Sequence, residues 1–321
     1  MNPSATDRAT NARVPIPAGG IMPPMVTPLR PDGSPDPESI DSLVDFFVDG
    51  GATGALVLGS CGENGALSRQ HRFDVAARTI ERSAGRIHIT VGLPALGLAD
   101  ACDDAKEYAT MGADSILAPA SFVFPNSQNE LERYFGAIGD AADGTPLIAY
   151  NVPGRTGVTF EVPLLRNLAA KSVISGVKDS SGNIEGHRML AEATADLEGF
   201  ARFSGSELAI DGVLLAGFHG AVPGLANPFL EFHVELARRA AAGDWVGASE
   251  MQGKIAALFD LYFHPVGEGS FNAMVLGTLK EGLVQRGVIA TSTTSAPFRQ
   301  IDDDVRAHVS KMLDLAKEIA P

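Results

Sequence analysis

The chain has only two cysteines, Cys61 and Cys102. That number excludes the disulfide framework of a small secreted domain and fits a reduced, cytoplasmic setting. Positive charge is also short, with 25 Lys and Arg against 39 Asp and Glu and a formal net charge of -14. Without a basic surplus there is little to displace counterions from phosphates, which argues against a nucleic-acid partner. An anionic substrate would need cations gathered locally, because the global field opposes it. No apolar run approaches the roughly 18 residues of a membrane span, so no membrane partner is expected. Residues 1–19 are rich in Ala, Pro, Thr and Arg without an apolar signal core and read as a flexible tail. The seven histidines, among them His71, His88, His187, His219, His233 and His264, show no metal-ligand spacing, and no metal is expected.

What is present is a sequence of 321 residues, 45% hydrophobic and 20% charged, which suits a globular protein with a large core. The stretch KSVISGVKDSSG, Lys171 to Gly182, places one lysine at the end of an apolar β run. Val173, Ile174 and Val177 form the run, and Ser180, Ser181 and Gly182 form the turn after it, so Lys178 is the last residue inside. Desolvation there lowers a lysine pKa from roughly 10.4 toward neutrality and gives an amine able to attack a carbonyl. A structural lysine paired with Asp179 or another carboxylate is the alternative, and the fragment alone favours it.

The rest of the chain repeats one pattern. Candidate strands lie at residues 21–26, 55–58, 87–91, 115–118, 147–151, 173–178, 200–204 and 220–222. Helical segments begin near Ser68, Leu98, Asn126, Glu161, Asn183 and Glu207. Eight strands alternating with helices over residues 20–226 predict an α/β fold, a (β/α)8 TIM barrel. A doubly wound sheet would need a glycine fingerprint after an early strand, and GSCGENG lacks the spacing. After Asn227 the strand signal stops, and helical patterns over 229–242, 244–262, 270–286 and 301–319 predict a C-terminal helical region, 227–321.

In such a barrel the reacting groups belong at the C-terminal ends of the strands. GSCGE, Gly59 to Glu63, offers small residues, the Ser60 hydroxyl and loop N–H groups to a carboxylate, although a plain glycine-rich turn is the alternative. YNVPGRTG, Tyr150 to Gly157, offers a phenol able to pass a proton and the Arg155 fork; a core tyrosine beside a surface arginine is the alternative. Gly205, Ser206 and Glu207 follow the seventh strand and either line the pocket or start a helix. His219, in FHGAVPG, is placed near the barrel mouth, and Glu63 is read as a structural acceptor for loop N–H groups.

GSCGE, YNVPGRTG and GVKDSSG, in this order and spacing, resemble the dihydrodipicolinate synthase/N-acetylneuraminate lyase family of class I aldolases. HGAVPGLANPF and APFRQI match weaker family patterns. The resemblance implies a homo-oligomer, usually a tetramer built from two tight dimers, with no metal or organic cofactor. It implies that Lys178 forms an imine with pyruvate or another 2-oxo acid and that Tyr150 shuttles protons. Ser60 would orient that tyrosine and, with Cys61, contact the carboxylate. Three departures narrow it. Cys61 stands where the family has Thr or Ser, and its backbone N–H remains usable. Val123, with Phe122 before it, stands where the true synthase lends a tyrosine across its dimer, so that relay is missing. Arg155 matches the synthase form rather than the sialic-acid lyase form, and Ser206 and Glu207 keep only part of the acidic motif with which the lyase binds sugar hydroxyls.

The expected function is therefore a Schiff-base-forming lyase acting on a small 2-oxo acid and an aldehyde. Arg155 would hold the acceptor's carboxylate, and Gly205 and Val222 would shape the pocket wall. A dehydratase of 2-oxo-3-deoxy sugar acids using the same lysine is the alternative, and an inactive 2-oxo acid binding protein is the third reading.

Overall fold

Parallel strands feed helices in strict alternation in a computed structural model, which describes residues 15–94, 97–122, 124–263 and 269–321. The strands are β1 (Gly20–Ile21), β2 (Gly54–Val57), β3 (His88–Gly92), β4 (Ser115–Pro119), β5 (Leu147–Asn151), β6 (Gly176–Asp179), β7 (Ala201–Ser204) and β8 (Gly220–Ala221). Between them lie α1 (Pro37–Asp49), α2 (Arg69–Ser83), α3 (Leu98–Met111), α4 (Gln128–Ala141), the short α5 (Pro153–Thr156), α6 (Val162–Ala170), α7 (Ile184–Ala193) and α8 (Ile210–Leu215). Helices α9 (Leu230–Ala241), α10 (Trp245–Leu258), α11 (Phe271–Gln285) and α12 (Asp303–Glu318) follow. Among the described residues no helix is long and apolar enough to cross a membrane.

The helices begin where the sequence supplies acceptors for their free N–H groups. Ser68 caps α2 through the His71 N–H, Asn183 caps α7 through the Gly186 N–H, and Ser127 with Glu130 forms a reciprocal capping box on α4. The sheet order is β1-β8-β7-β6-β5-β4-β3-β2. The ring is closed by a parallel bridge between Pro24 and Leu56, with Met25 N–H donating to the Leu56 carbonyl at 2.9 Å and Leu56 N–H to the Pro23 carbonyl at 3.0 Å. This is the expected TIM barrel with C-terminal helices.

Two strand boundaries differ from expectation. The first run, predicted as a strand over residues 21–26, is regular only at Gly20–Ile21, because Pro23 and Pro24 have no N–H to give to a ladder. The sixth was predicted at residues 173–178 and runs Gly176–Asp179 instead. Lys178 is therefore not the last residue inside: Asp179 is buried beyond it, held by Asn151 Nδ2 at 2.7 Å, the Ser181 N–H at 2.8 Å and His187 Nε2 at 3.0 Å. Those donors outweigh burial, which pushes the carboxyl up, and keep Asp179 below the usual carboxylate range. Residues 1–14 of the expected tail lie outside the described residues, and Ile16 packs against the barrel interior.

The interior of the barrel is filled by Met22, Leu56, Leu117, Ile148, Phe203 and their neighbours, with Tyr150 and Val222 at its edge. Val222 thus packs inside the barrel. On the outside the C-terminal helices are bonded to the barrel rather than tethered to it. Asn227 accepts the Val26 N–H at 3.1 Å and donates to the Pro24 carbonyl at 3.0 Å, joining the exit of β8 to the segment that closes the ring.

Candidate active site

Strands β5 and β6 pair in register, Tyr150 opposite Lys178 and Asn151 opposite Asp179. The ladder sets the two candidate side chains side by side at the C-terminal end of the barrel. Lys178 is 6% exposed and its Nζ lies 4.4 Å from the centroid of the Tyr150 ring. Among the described residues no carboxylate lies within 4.0 Å of that nitrogen, so the anticipated pairing with Asp179 does not form. Burial pushes the Tyr150 phenol up, but Lys178, a hydroxyl donated by Ser180 at 3.5 Å and Arg155 together bring it below its ordinary value. Ser180, read from the sequence as a turn residue, is thus the partner of the phenol. Among the described residues Ser60 makes no hydrogen bond to it.

The loop after β2 is fixed from behind. Leu58 and Glu63 both adopt the left-handed backbone region, at φ 55° and 57°, which non-glycine residues occupy only when their surroundings force it. Glu63 is 4% exposed, pairs with Lys280 of α11 and accepts the Ser295 N–H at 2.6 Å. It is a structural acceptor, as expected, yet for the C-terminal region rather than for its own loop. Cys61 lies on the same loop, and burial pushes its thiol up to about 11 despite the nearby Lys178, so the sulfur keeps its proton at neutral pH.

A cavity of about 590 Å³ is lined by Ser60, Cys61, Tyr150 and Arg155 among others; Lys178 does not line it and meets it only through the Tyr150 ring that its Nζ faces. Arg155 is exposed on α5, with one guanidinium nitrogen 3.3 Å from Asn272 Oδ1 of α11. Gly205 and Val222, expected on the wall, do not line this cavity. A Cβ at Gly205 would overlap the Ser180 hydroxyl and lie 3.5 Å from Lys178 Cε, so the space it leaves is already filled by protein. Glu207 accepts the Gly224 N–H at 2.6 Å, the Leu225 N–H at 3.3 Å and the Tyr262 hydroxyl at 3.4 Å. Burial nevertheless pushes its carboxyl up to about 7, against those donors and Lys178. His219 is not at the mouth. It precedes β8, at the opposite end of the barrel, where its Nδ1 accepts the Arg202 N–H at 3.1 Å. Val123 and His264 lie outside the described residues, and among those described no three His, Cys, Asp or Glu are grouped to hold a metal.

A family model described as the dihydrodipicolinate synthetase family matches residues 17–316. The chain belongs to that family. It is 32% identical over 239 residues to a 4-hydroxy-tetrahydrodipicolinate synthase of Laribacter hongkongensis, covering 74% of this chain and 81% of the relative. The dihydrodipicolinate synthase of Bacteroides thetaiotaomicron superposes with a TM-score of 0.86 at 29% identity, covering 93% of this chain and 99% of the other. The chloride-inhibited dihydrodipicolinate synthase of Acinetobacter baumannii, solved with pyruvate, superposes with a TM-score of 0.83 at 28% identity, covering 94% and 99%. As a member of the dihydrodipicolinate synthetase family the chain is a lyase.

Proposed function

We propose that this dihydrodipicolinate synthetase family member is a class I aldolase acting on pyruvate or a related 2-oxo acid, with Lys178 as the imine-forming nucleophile. The observation that carries it is the buried Lys178 amine facing the Tyr150 ring at 4.4 Å, with no carboxylate within 4.0 Å among the described residues. The amine nitrogen attacks the C2 carbonyl, the carbonyl oxygen leaves as water, and a protonated imine remains. Loss of a C3 proton gives an enamine that attacks an aldehyde carbon; the new alkoxide takes a proton, and water releases the 4-hydroxy-2-oxo acid. Cleavage is the reverse. Tyr150, with its lowered pKa and its Ser180 partner, carries the protons.

Ser60 and the Cys61 N–H hold the carboxylate of the imine, and the protonated thiol places no anion beside it. Arg155, exposed on α5, is available to a carboxylate where the acceptor carries one. The working form is a homo-oligomer, and no resident cofactor takes part. Incubation with pyruvate and borohydride, followed by peptide mass spectrometry, should place the adduct on Lys178. Product analysis then separates carbon–carbon bond chemistry from loss of water, which yields a new 2-oxo acid without pyruvate.

A further inference from the structure

The walls of the cavity that Tyr150 lines are mostly apolar. Leu93, Phe122, Val275, Leu276, Pro297 and Phe298 line the cavity beyond the groups assigned to the 2-oxo acid. Phe122 is 58% exposed although it faces a site, an arrangement that leaves apolar surface in water until something covers it. Several polar groups on the same walls are already engaged. Glu63 is held by Lys280 and the Ser295 N–H, and Asn64 Nδ2 donates to the Leu93 carbonyl at 3.3 Å. The Thr156 hydroxyl donates to the Val158 carbonyl at 3.2 Å, and Asn272 Oδ1 takes the Arg155 guanidinium. Glu207, the acidic residue nearest to a sugar-binding role, is closed in by Gly224, Leu225 and Tyr262 and does not line the cavity.

Resting on the aldolase reading above, we infer that the aldehyde partner is aromatic rather than polyhydroxylated, its ring seated against Phe122 and Phe298. A polyol would leave hydroxyls facing apolar walls, each without the hydrogen bond it had in water, whereas a planar ring gains contact with two aromatic side chains and loses nothing polar. A cavity of about 590 Å³ has room for such a ring beside a three-carbon imine. In the cleavage direction the C3–C4 bond of a 4-aryl-4-hydroxy-2-oxo acid breaks and its electron pair passes into the imine. The C4 hydroxyl loses its proton, an aryl aldehyde leaves, and the enamine takes one proton at C3 before water frees pyruvate.

The test uses the full chain with pyruvate and either benzaldehyde or glyceraldehyde. We expect kcat/KM for benzaldehyde to exceed that for glyceraldehyde by about tenfold or more, and Phe122→Asn and Phe298→Asn each to reduce that ratio about tenfold. Phe122 is exposed, so its replacement leaves the fold in place and keeps the test alive if Phe298→Asn does not fold. A preference for glyceraldehyde, equal rates, or no reaction of benzaldehyde while borohydride still traps pyruvate on Lys178 would overturn this inference and leave the aldolase reading standing. Failure to trap any pyruvate adduct on Lys178 would bring down both.

Discussion

Among the described residues two lysines are buried, and only one, Lys178, has no carboxylate partner. Lys280, on α11, is fully buried, pairs with Glu63 and donates to the Thr293 carbonyl at 2.6 Å. Burial pushes its pKa down and the Glu63 carboxylate pulls it back, so its charge belongs to the fold. Lys178, at the end of β6, is 6% exposed and has a phenol face for company instead of a carboxylate. Burial is common to both. The partner decides whether the nitrogen is a fastening or a reagent, and that is why a strand-end lysine opposite a tyrosine says more than a buried lysine does.

The sharpest way to break the contrast is to remove each amine. Lys178→Ala should abolish the borohydride adduct and lower turnover by at least about 10³-fold, while the urea midpoint moves little. A variant that still turned substrate over would erase the functional half of the comparison. Lys280→Met should do the opposite, costing about 3–5 kcal/mol of stability in urea unfolding because Glu63 is left as a buried, uncompensated charge. Adding Glu63→Gln to Lys280→Met should recover much of that loss, and no recovery would mean that the pair does not hold the loop. Tyr150→Phe should lower kcat about 10²-fold yet leave pyruvate trapping on Lys178 detectable. Equal losses in trapping and turnover would assign the phenol to imine formation rather than to the later proton transfers.

The smallest expected effect concerns Glu207, the buried acid that senses Lys178. Its carboxyl is raised from an ordinary value near 4.5 to about 7, chiefly by burial. Between those values the folded protein keeps a proton that the unfolded chain releases, so the contribution is complete below 4.5 and is lost as pH rises through 7. Glu207→Gln, which keeps the neutral form at every pH, should flatten the stability profile between pH 5 and 8 by about 2–3 kcal/mol. An unchanged slope in thermal melts would show that this acid titrates elsewhere.

Much of the barrel was legible because its signals are local. Ser68 and Asn183 cap the helices that the pattern predicted, and Leu147–Asn151 is a strand with the predicted ends. Lys178 and Tyr150 could be named because position at a strand end is written in the few residues around them. What escaped depends on distance along the chain. Glu63 and Ser295 are 232 positions apart, and nothing around either residue announces the other. Lys280 follows the apolar stripe of α11 and reads as its solvent side until the loop after β2 folds over it. His219 was misplaced for a simpler reason: a residue just before a strand sits at the end of the barrel opposite to one just after it. The engagement of Glu207 was invisible because its acceptor geometry is made by the turn at Gly224 and by Tyr262, both supplied from later in the chain.

The in-register rung joining Tyr150 to Lys178 has a consequence for how this molecule can change. Two groups on neighbouring hydrogen-bonded strands, here the pair proposed to react, travel together whenever the barrel flexes, so their separation is insulated from movements of the loops overhead. Those loops and the α11 surface can be rewritten by mutation to admit a different aldehyde while the nitrogen and the phenol keep their spacing. The proposed chemistry and its selectivity are thereby carried on separate parts of one chain.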